Sequence, residues 1–399
     1  MALRIAFYDA FALFEGSGRA MLDVLGQLDR RRFEALVVCP REGDLVEAAR
    51  ARGYETTVLE PTGALRQYNK ALLTGGAKAA PGIGWSVLCY GLRLRKWLRA
   101  QRIDLLHCNQ TRAALQAGLG GKLAGVPVVW VARIQERLPA SATRFAARCA
   151  SAVVSLSPRC LEGFGAAEAL SGKVVEIPLG VDIFRFAPTV GAPPLPDGLG
   201  VEPGDRVVLM VGGLHPRKRH DLLIEAAPRV LERVPRTRIV IVGGGFEDTG
   251  AEYEAQLRRR VGELGLQDRV VFTGRRSDVH AILRVGEVVV LPSDQEGLPA
   301  AIIEAMATGK PCVATPVAAA PIVDGVTGRI VPPNDPQALA DAIAEILLDG
   351  ELAEAMGRAG RERAVERYSL EATVKEYEAL YDRLTAEPEE MPRIGAAKA

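Results

Sequence analysis

Apolar residues along this chain fall into short unbroken runs, and between them lie stretches with helical spacing. RIAFYD (4–9), FEALVVCP (33–40), YETTVLE (54–60), DLLHCN (104–109), PVVWVAR (127–133) and AVVSLS (152–157) read as strands. Helical patterns at 43–53, about 86–101, 111–124 and about 140–150 separate them. The alternation restarts with VVLMVGGL (207–214), RIVIVGGG (238–245), VVFTG (270–274), EVVVLPS (287–293), PCVATP (311–316) and RIVPP (329–333). Runs without polar alternation suit parallel strands covered on both faces, so the pattern predicts an α/β chain with two such sheets. The stretch 61–85 has no clear period and reads as a long loop, and EGSG (15–18) reads as a tight turn before the helix RAMLDVLGQLDR. A Pro- and Gly-rich stretch at 187–204 reads as a linker. The expected domains are therefore 1–186, with the linker 187–204, and 205–365. A C-terminal helix at 366–386 is expected to pack back on the first domain, and 387–399 to form a disordered tail.

At 399 residues the chain has room for two domains of ordinary size, and 48% hydrophobic with 25% charged residues is a globular composition. The start MALRIAFYDAF lacks the apolar core and cleavage site of a signal peptide, and no run approaches 18 apolar residues. The expectation is a cytoplasmic protein, either free or peripheral at the inner membrane face. The six cysteines include no Cys-x-x-Cys pair and read as reduced core or surface thiols. His107, His215, His220 and His280 have no metal-ligand spacing. His107 ends a strand at the rim; a structural role is expected for it, with contact to a ligand the alternative.

The net charge of +1 hides an asymmetry. Residues 61–161 hold fifteen Lys and Arg against two acids, Asp104 and Glu136, a field that attracts anions. Within it, the helix WSVLCYGLRLRKWLRAQR (85–102) sets Trp85, Trp97 and leucines among Arg93, Arg95, Lys96 and Arg99. This pattern fits peripheral contact with an anionic membrane and an acceptor that is lipid-linked or polyanionic, or else a packed helix with a solvated face. Few aromatics and a neutral overall charge disfavour a nucleic-acid partner.

In parallel sheets the ligand sits beyond the C-terminal strand ends, so the loops there are the candidates. Glu296-Gly297-Leu298-Pro299 follows an apolar strand and opens the helix AAIIEAMA, with Pro299 at its expected first position. The free N–H groups of that helix suit oxygen atoms of a ligand. Glu296 and Glu304, eight residues apart, supply two carboxylates able to accept bonds from hydroxyls; an ordinary capped helix with a surface glutamate is the alternative. Arg217, Lys218 and Arg219 form a cationic cluster at a helix entrance in a chain with nine lysines and 41 arginines. Such a cluster suits a diphosphate, or is a solvated loop. Gly16 and Gly18 after the first strand allow close backbone approach, but Met21 stands where a dinucleotide fingerprint wants a third glycine. Gly244, inside GGG (243–245), is a further turn that can approach a ligand.

Together these motifs resemble the retaining glycosyltransferases of family 4. The resemblance runs through VGGLHPRKRHDLLIEA (211–226), VVFTG (270–274), VVVLPSDQEGLPAAIIEAMATGKPCVAT (288–315) and DGVTGRIVPPNDPQALADAI (324–343). It is looser in the first half, through EGSGRAMLDVL, DLLHCN, VPVVWVAR, VVSLS and IPLGVD. QEGLPAAIIEA matches the family's Glu-x7-Glu motif. The resemblance implies the GT-B fold, two Rossmann-like domains with parallel sheets facing across a cleft. It implies transfer of a sugar from a nucleotide donor, UDP- or GDP-linked, with retention of configuration and no metal requirement. Acceptors of this kind belong to glycolipid, cell-envelope or polysaccharide synthesis. By the same resemblance Glu296 binds sugar hydroxyls, Glu304 the donor ribose, Lys218 the diphosphate, and Gly16 faces the phosphates. Arg133 joins Lys218 and Glu296 as a catalytic candidate. Three positions depart from the pattern: Gly213 replaces a usual arginine, Arg133 a frequent histidine, and 317–325 is a shortened loop without its glutamate. A GT-B sugar-nucleotide epimerase and a non-catalytic sugar-nucleotide binder are the alternative readings.

Overall fold

The apolar runs become two all-parallel sheets. The computed structural model describes residues 2–14, 16–61, 63, 65, 80–189, 191, 194–245 and 247–386. One unit takes the chain to Pro178 and again from Glu371; the other is Leu179–Leu370. The stretch 187–204 therefore lies within the second unit.

In the first unit the strands are β1 (Leu3–Tyr8), β2 (Phe33–Cys39), β3 (Glu55–Val58), β4 (Leu105–Cys108), β5 (Val128–Ala132), β6 (Ala152–Ser155) and β7 (Val174–Glu176). They lie in the order β3-β2-β1-β4-β5-β6-β7. Helices α1 (Gly16–Gln27), α2 (Asp44–Ala51), α3 (Ala80–Ala100), α4 (Thr111–Ala124) and α5 (Ala140–Cys149) connect them. The second unit has β8 (Arg206–Val211), β9 (Thr237–Val242), β10 (Val270–Phe272), β11 (Val288–Leu291), β12 (Cys312–Ala314) and β13 (Gly328–Ile330), ordered β10-β9-β8-β11-β12-β13. Its helices are α6 (His220–Arg233), α7 (Glu247–Glu263), α8 (Val279–Val285), α9 (Ala300–Ala307), α10 (Pro336–Leu348) and α11 (Gly350–Tyr368). The last helix, α12 (Leu370–Thr385), brings Tyr377 and Tyr381 against Phe7, Phe33 and His107 of the first unit.

Both sheets reverse strand order at one place, between β1 and β4 and between β8 and β11. Connections leave in opposite directions there, which opens a crevice at the strand ends. The strands that flank these points are buried along nearly their whole length, as the unbroken apolar runs require.

Two sequence expectations need correction. The loop read at 61–85 ends earlier, because α3 already begins at Ala80; residues 66–79 lie outside the described set. Gly82 and Gly84 lower helix propensity and hid this first turn, while Pro81 is tolerated because an N-terminal turn needs no donor there. EGSG is not a free turn either. Helix α1 starts at Gly16, and Gly18 is inside it, where a Cβ would run into the Leu13 carbonyl oxygen. Its missing side chain serves packing.

Two histidines are buried in a neutral form. His107 in β4 pairs its Nδ1 with the Tyr381 hydroxyl at 3.0 Å, and burial with the nearby Arg133 charge pushes its pKa down to about 3. His220 opens α6 against the Tyr253 ring; burial first, then Lys218, lowers it to about 4. A free histidine titrates near 6.5. Between that value and these, the unfolded chain binds protons that the folded chain refuses, so stability falls as pH falls. Urea unfolding from pH 7.5 to 5 is expected to steepen toward about 1.4 kcal/mol per pH unit for each unit's histidine. A flat profile would contradict their burial.

The close approach of β8 to β9 at their ends depends on Gly243, where a Cβ would strike the Gly212 carbonyl oxygen. Gly243→Ala is expected to destabilise the second unit by about 1–3 kcal/mol, a drop of several degrees in thermal unfolding.

Candidate active site

The C-terminal ends of β8 and β11 carry the densest cluster of predicted residues. After β8 the chain runs through Gly212 to a short 3-10 turn, Pro216–Lys218, which His215 caps by accepting from the Arg217 N–H through Nδ1 at 3.2 Å. Arg219 then adopts φ 58°, a left-handed conformation usual for glycine, and hands the chain to α6. Its guanidinium offsets that local cost with a network of bonds. It reaches Asp221 at 3.0 Å, Asp294 at 3.3 Å and the side-chain oxygen of Asn334. The loops after β8, β11 and β13 are thereby strapped together. Arg219, expected at the donor, is engaged by these three partners.

The strap sets Lys218 against the loop after β11. Lys218 Nζ donates to Glu296 Oε1 at 2.5 Å, and the Ser293 hydroxyl donates to the same oxygen at 2.9 Å. Arg217 lies 3.6 Å from Oε2 and donates to the Gln295 carbonyl at 2.9 Å. The Asp294 N–H returns a bond to the Arg217 carbonyl at 2.8 Å. Thr315, after β12, donates to the Ser293 carbonyl at 2.5 Å and holds that residue in place. The Glu296 and Lys218 side chains are only 7% and 14% exposed. Burial pushes the Lys218 pKa down, Glu296 opposes this, and Arg217 adds to it.

Gly297, Leu298 and Pro299 follow in the same buried loop. Pro299 is the cap of α9, with φ −76° and ψ 109°, and not its first residue as expected. No side-chain cap hydrogen bond closes this helix. Glu304 is buried within α9. The carbonyl of Gly244 accepts from the Leu214 N–H at 2.9 Å, so the glycine loop is tied to the loop after β8.

The first unit builds its own polar cluster at the ends of β1, β4 and β5. Asp9 is wholly buried. Its Oδ1 accepts from the N–H groups of Phe11 at 2.9 Å and Ala12 at 3.0 Å. Its Oδ2 accepts from Asn109 Nδ2 at 2.7 Å and from Gln110. Asn109 in turn receives Arg133, whose Nε lies 2.7 Å from the Asn109 carbonyl oxygen. Burial pushes the Arg133 pKa down, with Tyr377 and Asp9 opposing. Gly16 heads α1 with open space where a Cβ would stand. On α3, Arg93, Lys96 and Arg99 are exposed and Arg95 is half-buried.

Sequence reasoning passed over Ser293, Thr315 and Asn334, and over Asp9, Asn109 and Gln110. Each sits at a strand end, the one signal available. Their partners lie too far along the chain for spacing to reveal. Among the described residues no three or more His, Cys, Asp or Glu side chains gather as a metal site would require.

Comparison with known proteins supplies the family. Residues 195–363 match the family "Glycosyl transferases group 1", and residues 14–185 match "Glycosyltransferase Family 4". The alpha-D-kanosaminyltransferase of Streptomyces kanamyceticus is 31% identical over 74% of this chain and 81% of its own length. An Escherichia coli UDP-Gal:alpha-D-GlcNAc-diphosphoundecaprenol alpha-1,3-galactosyltransferase is 25% identical over 95% and 96%. A GDP-mannose-dependent alpha-(1-6)-phosphatidylinositol monomannoside mannosyltransferase of Mycolicibacterium smegmatis is 36% identical over 51% and 55%, so the chain spans about half of that relative. Among solved structures, Anabaena Alr3699/HepE in complex with UDP and glucose superposes with a TM-score of 0.76 at 22% identity, covering 96% of this chain and 100% of that one. The fold is thus GT-B, and the chain belongs to glycosyltransferase family 4, whose members move a sugar from a nucleotide donor with retention of configuration.

Proposed function

We propose that the second unit grips a UDP- or GDP-linked sugar with Lys218, Arg217 and the N-terminal end of α9 on the diphosphate and Glu296 on the sugar hydroxyls. Glu304 takes the ribose, and the backbone at Gly244 and at Gly297 to Pro299 shapes the wall. The observation that carries this reading is the buried Lys218–Glu296 pair with the half-exposed Arg217 beside it, placed where the strand order reverses. Cations paired with one carboxylate at a crevice suit a ligand that brings negative phosphates and hydroxyl donors together.

The chemistry follows from charge placement. The C1–oxygen bond to the phosphate breaks, and the acceptor oxygen bonds to C1 on the same face. The acceptor proton passes to the departing phosphate oxygen. Lys218 and Arg217 stabilise charge as it builds on the diphosphate, and positioning supplies much of the remainder. In the first unit, Arg133 is the candidate catalytic cation, and Gly16 and Gly18 shape the start of α1.

The acceptor is proposed to be lipid-linked or a saccharide. The names of the Escherichia coli and Mycolicibacterium relatives support this, since one acts on a diphosphoundecaprenol and the other on a phosphatidylinositol mannoside. Helix α3 supports a membrane setting. Trp85, Leu88 and Leu92 are 68%, 39% and 47% exposed and fall on one helical stripe, which Lys96 and Arg99 continue and Arg93 flanks. No helix among the described residues is long and apolar enough to cross a bilayer. An apolar stripe flanked by bases lies in the interface plane of an anionic membrane, each base adding about 1 kcal/mol.

Calorimetric titration with UDP- and GDP-sugars tests the donor site. One of them is expected to bind, and Lys218→Ala to weaken it about tenfold to a hundredfold, the loss of a charged hydrogen bond. Binding undisturbed by Lys218→Ala would refute the assignment. Turnover of the donor with no acceptor present would favour the epimerase reading. For the membrane, the protein is expected to float with phosphatidylglycerol vesicles and not with phosphatidylcholine vesicles. Replacing Trp85, Leu88 and Leu92 by Ala is expected to abolish flotation; equal recovery with both lipids would end the idea.

A further inference from the structure

We infer that Glu296 makes this site discriminate between a nucleotide that carries its sugar and the bare nucleoside diphosphate. The inference rests on the donor reading above and concerns what the carboxylate does when no sugar is present.

The two cations of the site already hold an anion of the protein's own. Glu296 Oε1 accepts from Lys218 at 2.5 Å and from Ser293 at 2.9 Å, and Arg217 faces Oε2 at 3.6 Å. Little water reaches the pair, given side-chain exposures of 7% and 14%. An incoming diphosphate must compete with Glu296 for Lys218 and Arg217. Once it wins them, the carboxylate keeps Ser293 but has lost its counter-ions, and a second negative group now stands nearby. A buried carboxylate stripped of partners is costly.

A sugar removes that cost. Its hydroxyls donate to the oxygens that Lys218 and Arg217 vacate, so the carboxylate exchanges one set of donors for another. A bare nucleoside diphosphate brings no such donors. Glu296 therefore repels the product more than the donor, which favours release after transfer. Lysine suits the exchange, because its rotatable point charge can turn from carboxylate to phosphate more freely than a planar fork.

Two substitutions separate this role from a structural one by the sign of their effects. Glu296→Gln keeps the shape and removes the charge. Ser293→Ala keeps the charge and removes a neutral donor that stays with Glu296 when the cations leave. Isothermal titration of the full chain would use UDP with UDP-glucose, and GDP with GDP-mannose. For the nucleotide that the unaltered protein binds, Glu296→Gln is expected to tighten the bare diphosphate at least fivefold and to narrow its gap from the sugar-bearing form. Ser293→Ala is expected to weaken the bare diphosphate several-fold. Effects of one sign in both variants, or an unchanged gap in Glu296→Gln, would overturn the inference while leaving the donor site intact. If Glu296→Gln does not fold, the inference fails equally where the bare diphosphate binds Ser293→Ala as tightly as the unaltered chain. Failure of the unaltered chain to bind either nucleotide in either form would remove the donor reading itself.

Discussion

One contact organises the second unit: a lysine and a glutamate, withdrawn from water together across the point where β8 and β11 part. Burying two charges is a poor way to gain stability, since desolvation offsets most of the attraction and apolar residues of similar volume often do as well. The surroundings nonetheless commit much to it. Ser293, Thr315 and the Asp294 N–H fix the loop after β11, while His215 and Arg219 fix the loop after β8. Arg219 even holds a left-handed backbone, which its bonds to Asp221, Asp294 and Asn334 help to sustain. So much reinforcement around a pair of little net stabilising value fits a pair kept for what it does with a ligand.

The first unit reaches the corresponding place in its sheet with the opposite electrostatics. Asp9 is also buried at the reversal of strand order, yet its partners are two backbone N–H groups and two side-chain amides. Those donors are neutral and have no better anion to seek. Asn109 offers its carbonyl oxygens to Arg133 and its amide to Asp9, so it spaces a buried carboxylate from a half-buried guanidinium. Asp9 is therefore a fixed part of the frame. Glu296 is held instead by a lysine and an arginine, charged donors that a phosphate would also attract.

The parallel strands were legible because burial on both faces erases polar alternation; VVLMV and EVVVL read directly as the strands beside the site. Helix α3 was half legible. Its basic second half has the helical period, while Gly82 and Gly84 mask its first turn. The chemistry was legible as residue types at strand ends and not as pairings. Lys218 and Glu296 are 78 positions apart, and Asp9 and Asn109 are 100 apart. Only the sheet order brings either pair together. The adjacent arginines show the limit most clearly. Nothing in Arg217-Lys218-Arg219 reveals that the backbone turns left-handed at the third residue, sending its guanidinium to Asp221 and leaving the first to face Glu296.

The use of lysine at 218 can be argued from the same geometry. The chain prefers arginine by 41 to nine, and many of its arginines act as fixed ties. Arg361 grips the carbonyls of Ile183, Phe186 and Ala307, and Arg219 grips two carboxylates and an amide. A planar fork locks onto such partners and resists rotation between them. At 218 a fork would bond Glu296 through two parallel contacts and hold it more tightly. A single ammonium holds the carboxylate through one contact and can be drawn to a phosphate without breaking a second. Burial that lowers the Lys218 pKa works in the same direction, because a cation poorly solvated by water gains most when a doubly charged group arrives. The scarcer residue stands where the proposed reading has the bond exchanged.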